Sequence, residues 1–175
     1  RKGKYIILKL DHKYLIGHLR MTGQLYISKT LPIKKNHLRC IFLLDSNEFL
    51  VFEDIRKFGG FFIYNNLDIL NAKIGIDPFQ KIFTVKWLKI NLLKKKRMMK
   101  HLLLDQKFIC GLGNIYIDEI LWKSQIHPKA LSNKIQSIKN LHSNLLSILN
   151  ESIKFHGTTI MNFKFDNMKT GNYKN

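Results

Sequence analysis

Short apolar stretches alternate with turn residues over the first third of the chain. Residues 5–8, 14–16, 24–27, 40–44, 49–52 and 60–64 are rich in aromatic and β-branched side chains. Bounded by Asp11-His12, Thr22-Gly23 and Asp45-Ser46-Asn47, these runs predict six strands, and their close spacing predicts an antiparallel sandwich or barrel. From about Phe83 the period changes, with Val85, Leu88, Leu92 and Leu93 recurring at helical spacing. A second helix is predicted over 114–123, after Gly111-Leu112-Gly113. Asn114 is its expected cap, because its side-chain oxygen can accept a backbone N–H of the first turn, and His127-Pro128 closes the segment. Ile135, Ile138, Leu141, Leu145, Leu149 and Ile153 predict a long amphipathic helix, with Ser132 as its cap and Gly157 as its stop. The expected class is α+β: an antiparallel β-sandwich over 1–74, a linker over 75–80 and a helical domain over 81–175.

Composition narrows the partners. The 175 residues include 30 Lys+Arg against 12 Asp+Glu, a formal charge of +18, yet 45% are apolar. That apolar content is enough for a core and excludes a disordered basic tail. No uninterrupted apolar run approaches the ~20 residues of a membrane-spanning helix. A charge this large resists compaction unless an anion neutralises it, and nucleic acid is the commonest such anion. AT-rich codon usage also inflates lysine, so motifs must carry the assignment. Cys40 and Cys110 form no Cys-x-x-Cys pair, which gives no disulfide framework or zinc module and reads as two small buried hydrophobes.

Three stretches could carry chemistry. Gly111-Leu112-Gly113-Asn114 sets two glycines before a helix start, where free N–H groups and a partial positive charge suit a phosphate. Lys95, Lys100 and Lys107 precede it, so two helices around a glycine turn could clamp a DNA backbone, although an ordinary helical connection fits the same residues. Asp54-Ile55-Arg56-Lys57-Phe58-Gly59-Gly60 offers cations and a ring in one turn. Met21, in His18-Leu19-Arg20-Met21-Thr22-Gly23, sits in another. Apolar side chains beside cations act as wedges in DNA-kinking proteins; periodicity alone favours Met21 and Phe58 as core. There is no His-Glu-x-x-His helix and no phosphate loop ending in Gly-Lys-Ser/Thr. Asp118 and Glu119 are adjacent on a helix and point apart.

Together these motifs give the chain a resemblance to the bacterial formamidopyrimidine-DNA glycosylase family. It runs from Arg1-Lys2-Gly3-Lys4-Tyr5 through the two turns above, Leu104-Asp105-Gln106, Gly111-Leu112-Gly113-Asn114-Ile115-Tyr116, Asp118-Glu119 and Ile126-His127-Pro128 to Gly157-Thr158-Thr159. It implies a β-sandwich joined to a helix–two-turn–helix domain, binding damaged double-stranded DNA in the bacterial cytoplasm and nucleoid as a monomer. It implies excision of oxidised purines such as 8-oxoguanine and formamidopyrimidine, followed by AP lyase cleavage. Lys4 matches a lysine of the lyase step, and Met21, Arg56 and Phe58 match the trio that fills the gap left by the everted base. His37, Lys57, Lys95, Lys100 and Asn114 match DNA contacts, while Thr158 and Thr159 match the start of the loop over the lesion.

The chain also departs from the family pattern. Family members open with Pro-Glu, the nucleophile and its acid/base partner, and end in a four-cysteine zinc finger. The stretch from Arg1 to Asn175 includes neither, so no cofactor or metal is expected on its own residues, and it reads as the middle of the enzyme. Arg20 stands where the family usually has glycine, and Ile76 where proline usually follows Gly75. Three other readings compete: a pyrimidine-lesion relative of the endonuclease VIII type, a DNA-binding remnant without chemistry, and an RNA-binding protein.

Overall fold

A computed structural model describes residues 1–32, 36–157, 164–165, 169–170 and 173. Its chain divides into two compact units, one built on Gly3–Asn66 with described residues after Phe155, the other on Leu67–Lys154.

All six predicted strands form in the first unit. β1 (Tyr5–Lys9) and β2 (Tyr14–His18) make a hairpin, and β2 also pairs antiparallel with β6 (Gly60–Tyr64), giving the order β1-β2-β6. β3 (Gly23–Ser28), β4 (Leu38–Leu43) and β5 (Phe49–Asp54) form a second antiparallel sheet in the order β3-β5-β4. The sheets meet through their aromatic faces. The Phe61 ring of β6 packs edge-on against Phe42 and Phe52 of the other sheet, at centroid distances of 5.3 and 5.2 Å. Leu15, Ile16, Val51 and Phe52 are buried; Ile16 and Val51 lie on the strand faces opposite to Leu15 and Phe52. Two short strands, β7 (Lys164–Phe165) and β8 (Lys169–Thr170), pair with each other.

The second unit holds α1 (Asp68–Lys73), α2 (Val85–Leu93), α3 (Met99–Leu104), α4 (Asn114–Lys123) and α5 (Ile138–Lys154). α1 escapes a periodicity reading because Leu70 is its one buried residue. α5 buries Ile138, Leu141 and Leu145 of the predicted stripe, but then Ile148 in place of Leu149, and Ile153 is exposed, because the buried face shifts by one residue in the last turns. Its start differs from expectation. Ser132 lies in a 3-10 turn (Ser132–Lys134), and Ile135 is extended, so the helix begins at Ile138. Ser132 is buried and bonds the 95–97 segment instead, its hydroxyl donating to the Lys95 carbonyl at 2.6 Å and accepting from the Arg97 N–H at 3.3 Å. The helix ends at Lys154, just before left-handed His156 and Gly157 (φ 57° and 92°), so Gly157 lies beyond the stop.

The expected linker at 75–80 is a packed part of the second unit, which starts earlier, at Leu67. The Gly75 N–H donates to the Gln106 carbonyl at 2.7 Å, and Ile76 forms a parallel bridge with Ile109. Glycine is required here, because a Cβ would stand 2.4 Å from the Phe108 carbonyl oxygen and 2.5 Å from that of Lys107. Gly75→Ala should therefore lower stability by about 1–3 kcal/mol, the usual range for forced overpacking. Thermal denaturation checks this, and an unchanged melting temperature would mean the backbone yields freely.

Candidate nucleic-acid interface

Antiparallel pairing gathers the first unit's chemistry at one edge. His18, ending β2, lies opposite Tyr5, which opens β1, and opposite Gly60, which opens β6. Asp54, ending β5, lies opposite Gly23, which opens β3, while its neighbour Glu53 lies opposite Leu38, which opens β4. Lys4, the 19–22 turn, His37 and the 55–59 turn therefore all sit at this edge. The two turns touch: a Cβ on Gly59 would fall 2.7 Å from the His18 carbonyl oxygen.

Asp54 organises both turns. It is fully buried, and its carboxylate accepts from the Thr22 hydroxyl at 2.5 Å, the Gly59 N–H at 2.7 Å and the Arg56 N–H at 3.2 Å. Its own N–H donates to the His37 carbonyl, and its carbonyl accepts from Arg39 Nε, both at 2.9 Å. Burial alone would raise its pKa. The bonds from Thr22, Gly59, Arg56 and Phe58 outweigh that, so the carboxyl lies below its ordinary value and stays charged.

This scaffold brings Met21, Arg56 and Phe58 together on the surface. Met21 is 69% and Phe58 60% exposed, so neither is core. Arg56 Nη1 lies 3.5 Å from the Met21 sulfur, and Arg56 Cζ lies 5.0 Å from the Phe58 ring centroid. The guanidinium thus bridges a thioether and an aromatic face, with Ile55 a further exposed apolar side chain beside them. Lys57 is exposed and left-handed (φ 59°), as is Arg20 (φ 56°). The Arg20 conformation is one that glycine adopts without strain, which accounts for glycine at that place in the family pattern.

Lys4 precedes β1 as an exposed residue whose ammonium is still crowded enough for desolvation to lower its pKa. His18 is pushed down to about 4, first by burial and then by the positive charges of Arg20 and Lys4. It is neutral at pH 7, and its Nδ1 accepts from the Arg20 N–H at 2.9 Å, which places its proton on Nε2. His37 is exposed at the start of β4. Thr158 and Thr159 lie outside the described residues.

In the second unit, α3, the segment 105–113 and α4 form the helical connection. Gln106 fastens its turns. Its amide donates to the Leu104 and Leu112 carbonyls and accepts from the Gly111 N–H, each at 2.9 Å. Gly111 takes φ 94°, and extended Gly113 is the N-cap of α4. Asn114 is consequently the first helical residue, exposed beside the free N–H groups, and not the cap. Lys100, on α3, pairs with Asp118, one turn along α4 from Asn114, so Lys100 and Asn114 share a face. Lys95 is exposed after α2, on a segment held by Ser132. That segment is tied to 105–113 by Arg97, whose Nη1 lies 2.6 Å from Asp105. The Arg97 bond, helped by the Lys107 N–H against burial, holds Asp105 below its ordinary pKa.

Asp54 and Gln106 are organising residues that the motifs left without a role of their own, and Ser132, expected as a helix cap, instead organises the 95–97 segment. An Asp at a strand end ahead of a glycine-containing turn is the one signal that marks Asp54. Among the described residues no group of three or more His, Cys, Asp or Glu could hold a metal ion, and Cys40 and Cys110 lie in different units, so these residues do not fit a four-cysteine zinc site.

Comparison with known proteins agrees with this geometry. Residues 1–61 match the Formamidopyrimidine-DNA glycosylase N-terminal domain, and residues 74–164 match the Formamidopyrimidine-DNA glycosylase H2TH domain. The formamidopyrimidine-DNA glycosylase of Streptococcus mutans is 36% identical over 170 residues, covering 94% of this chain and 62% of that protein. That of Lactobacillus helveticus is 34% identical over 181 residues, covering 99% and 66%. The chain thus spans a little under two thirds of these curated relatives. Among solved structures, Lactococcus lactis Fpg in complex with abasic-site DNA superposes with TM-score 0.84 at 34% identity, covering 91% of this chain and 61% of that one. The same protein with FAPY-dG DNA gives 0.85 at 34%, covering 93% and 63%.

Two outcomes test the first unit's edge. Asp54→Ala leaves several buried donors without an acceptor and should cost roughly 2–4 kcal/mol in urea unfolding; a loss below about 1 kcal/mol would show that the turns hold without it. His18 has a folded pKa near 4 against an ordinary 6.5. The unfolded chain therefore takes up its proton first as pH falls, and stability present above pH 6.5 is lost toward pH 4. His18→Gln should flatten that part of the stability–pH profile, and an NMR titration of His18 near its ordinary value would refute the assignment.

Proposed function

Because the chain belongs to the formamidopyrimidine-DNA glycosylase family, we propose that it is the DNA-engaging part of a base-excision repair glycosylase with AP lyase activity. In this reading the protein binds damaged duplex DNA as a monomer in the bacterial cytoplasm. It everts an oxidised purine, such as 8-oxoguanine or a formamidopyrimidine, excises it and cleaves the strand by β-elimination. The observation that carries the reading is the exposed Met21–Arg56–Phe58 cluster on the Asp54 scaffold. A glycosylase needs such a group, because the bond to be broken is shielded while the base is stacked, and extrusion costs a few kcal/mol. Apolar side chains entering the vacated space repay part of that cost, and the Arg56 guanidinium supplies hydrogen bonds to the base left behind. His37 and Lys57 at the same edge, and Lys95, Lys100 and Asn114 in the helical unit, are assigned to the phosphate backbone, which fixes position without reading sequence.

Covalent chemistry of this kind begins with an amine attacking the sugar C1′. The base leaves, and the resulting Schiff base allows β-elimination. Lys4 is the amine within this chain that we assign to the lyase step. Desolvation lowers its pKa, which raises the fraction carrying a free lone pair. Neutral His18 beside it adds no further positive charge.

The test is strand nicking, with borohydride trapping, of duplexes carrying one 8-oxoguanine or one abasic site. A trapped adduct on the abasic duplex that is lost in Lys4→Ala supports the lyase assignment. Binding without trapping favours a DNA-binding remnant, or an amine outside Arg1–Asn175. Phe58→Ala and Arg56→Ala should weaken lesion-duplex binding by about 1–3 kcal/mol, the scale of aromatic–base stacking, and undamaged-duplex binding by less. Equal loss on both would remove the wedge role.

A further inference from the structure

Lys100 is not a free cation. Its ammonium lies 2.7 Å from one carboxylate oxygen of Asp118 and 2.9 Å from the other. Its backbone leaves little freedom, because the Lys100 N–H donates to the Pro128 carbonyl at 3.0 Å and the Met99 N–H to the Ala130 carbonyl at 2.9 Å. The start of α3 is thereby clamped, and the side chain alone decides where the charge sits. Asp118 is the acid in position to take it. Asp105 is bound by Arg97, and Glu119, one residue on, faces another side of α4. Asp118 also shares its exposed helical face with Asn114, at the N-terminal end of α4.

We propose that Asp118 is a resident competitor for the ammonium of Lys100 and sets the protein's background affinity for duplex DNA. The inference rests on the function proposed above, in which Lys100 meets a backbone phosphate. A carboxylate and a phosphate are both oxyanions that seek the same N–H donors. While Asp118 holds them, the pair carries no net charge and offers nothing to exchange for the counterions of DNA. A phosphate arriving at Lys100 meets the carboxylate's negative charge and must displace it. Contacts to the backbone carry no base information, so this opposition falls equally on damaged and undamaged duplex. Its effect is to keep binding everywhere weak enough to be released, leaving discrimination to the Met21–Arg56–Phe58 edge.

Asp118→Asn keeps the shape and removes the charge. Duplex affinity measured by fluorescence anisotropy should rise roughly two- to fivefold, the factor that corresponds to an exposed ion pair. It should rise in parallel for undamaged and abasic duplexes. The plot of log affinity against log salt should steepen by about 0.9, the increment for one further phosphate contact. Asp118→Glu, which retains the charge, should stay close to the parent. In a Lys100→Gln background there is no ammonium to release, so Asp118→Asn should leave the salt slope unchanged. An unchanged or reduced affinity in Asp118→Asn overturns the proposal, a reduction meaning that the pair orients Lys100 for DNA. A slope that steepens equally in the Lys100→Gln background also overturns it, assigning the effect to total charge. Thermal melting shows whether each variant is folded. Failure of the parent chain to bind any duplex would instead remove the function itself, an outcome distinct from parent binding that Asp118→Asn leaves untouched.

Discussion

The Asp54 carboxylate is buried at the end of β5 and accepts hydrogen bonds from both turns at that edge of the sandwich. A charge in that position is costly unless its oxygens are filled. Thr22 supplies one bond from the turn before β3; Arg56 and Gly59 supply others from the turn before β6. Satisfying the charge therefore dictates the course of two segments far apart in sequence. The placement of Met21 against Arg56, and of Arg56 against Phe58, follows from it. So does left-handed Lys57, a conformation that a non-glycine residue holds only when its surroundings insist.

The helical unit solves the same problem with a neutral group. One Gln106 amide bonds three backbone positions around the glycine turn and delivers α4 with its N-terminal N–H groups exposed. Ser132 holds the lysine-rich segment after α2 in a similar way. In each case a single polar side chain turned inward sets the positions of several charged ones turned outward.

Much of the architecture was legible because it depends on periodicity. Six strands formed where aromatic and β-branched residues alternate with turn residues, and the buried stripe of α5 follows the predicted spacing as far as Leu145. Helix ends were not legible, because an N-cap is chosen by backbone conformation. Gly113 adopts the extended form that Asn114 was expected to take, and Ser132 was drawn away by the 95–97 segment. The linker expected at 75–80 looks open in sequence because glycine usually marks a turn; here Gly75 admits a backbone contact too close for any side chain. Periodicity also favoured Met21 and Phe58 as core, but both are exposed on turns that the Asp54 bonds join across residues 22, 54 and 59. The family resemblance implied that those two side chains face outward, and both are exposed.

The arrangement of Arg56 has a thermodynamic consequence. Placed between a sulfur atom and a ring, the guanidinium is biased towards one part of the rotational range of its long side chain. For arginine the full loss of that freedom is worth up to about 2 kcal/mol at ordinary temperature. A solvent-dispersed arginine would incur it on meeting a ligand, and its affinity would fall accordingly. Here a part of that entropy is surrendered when the chain folds, so the partial ordering of the edge is drawn from the stability of the sandwich.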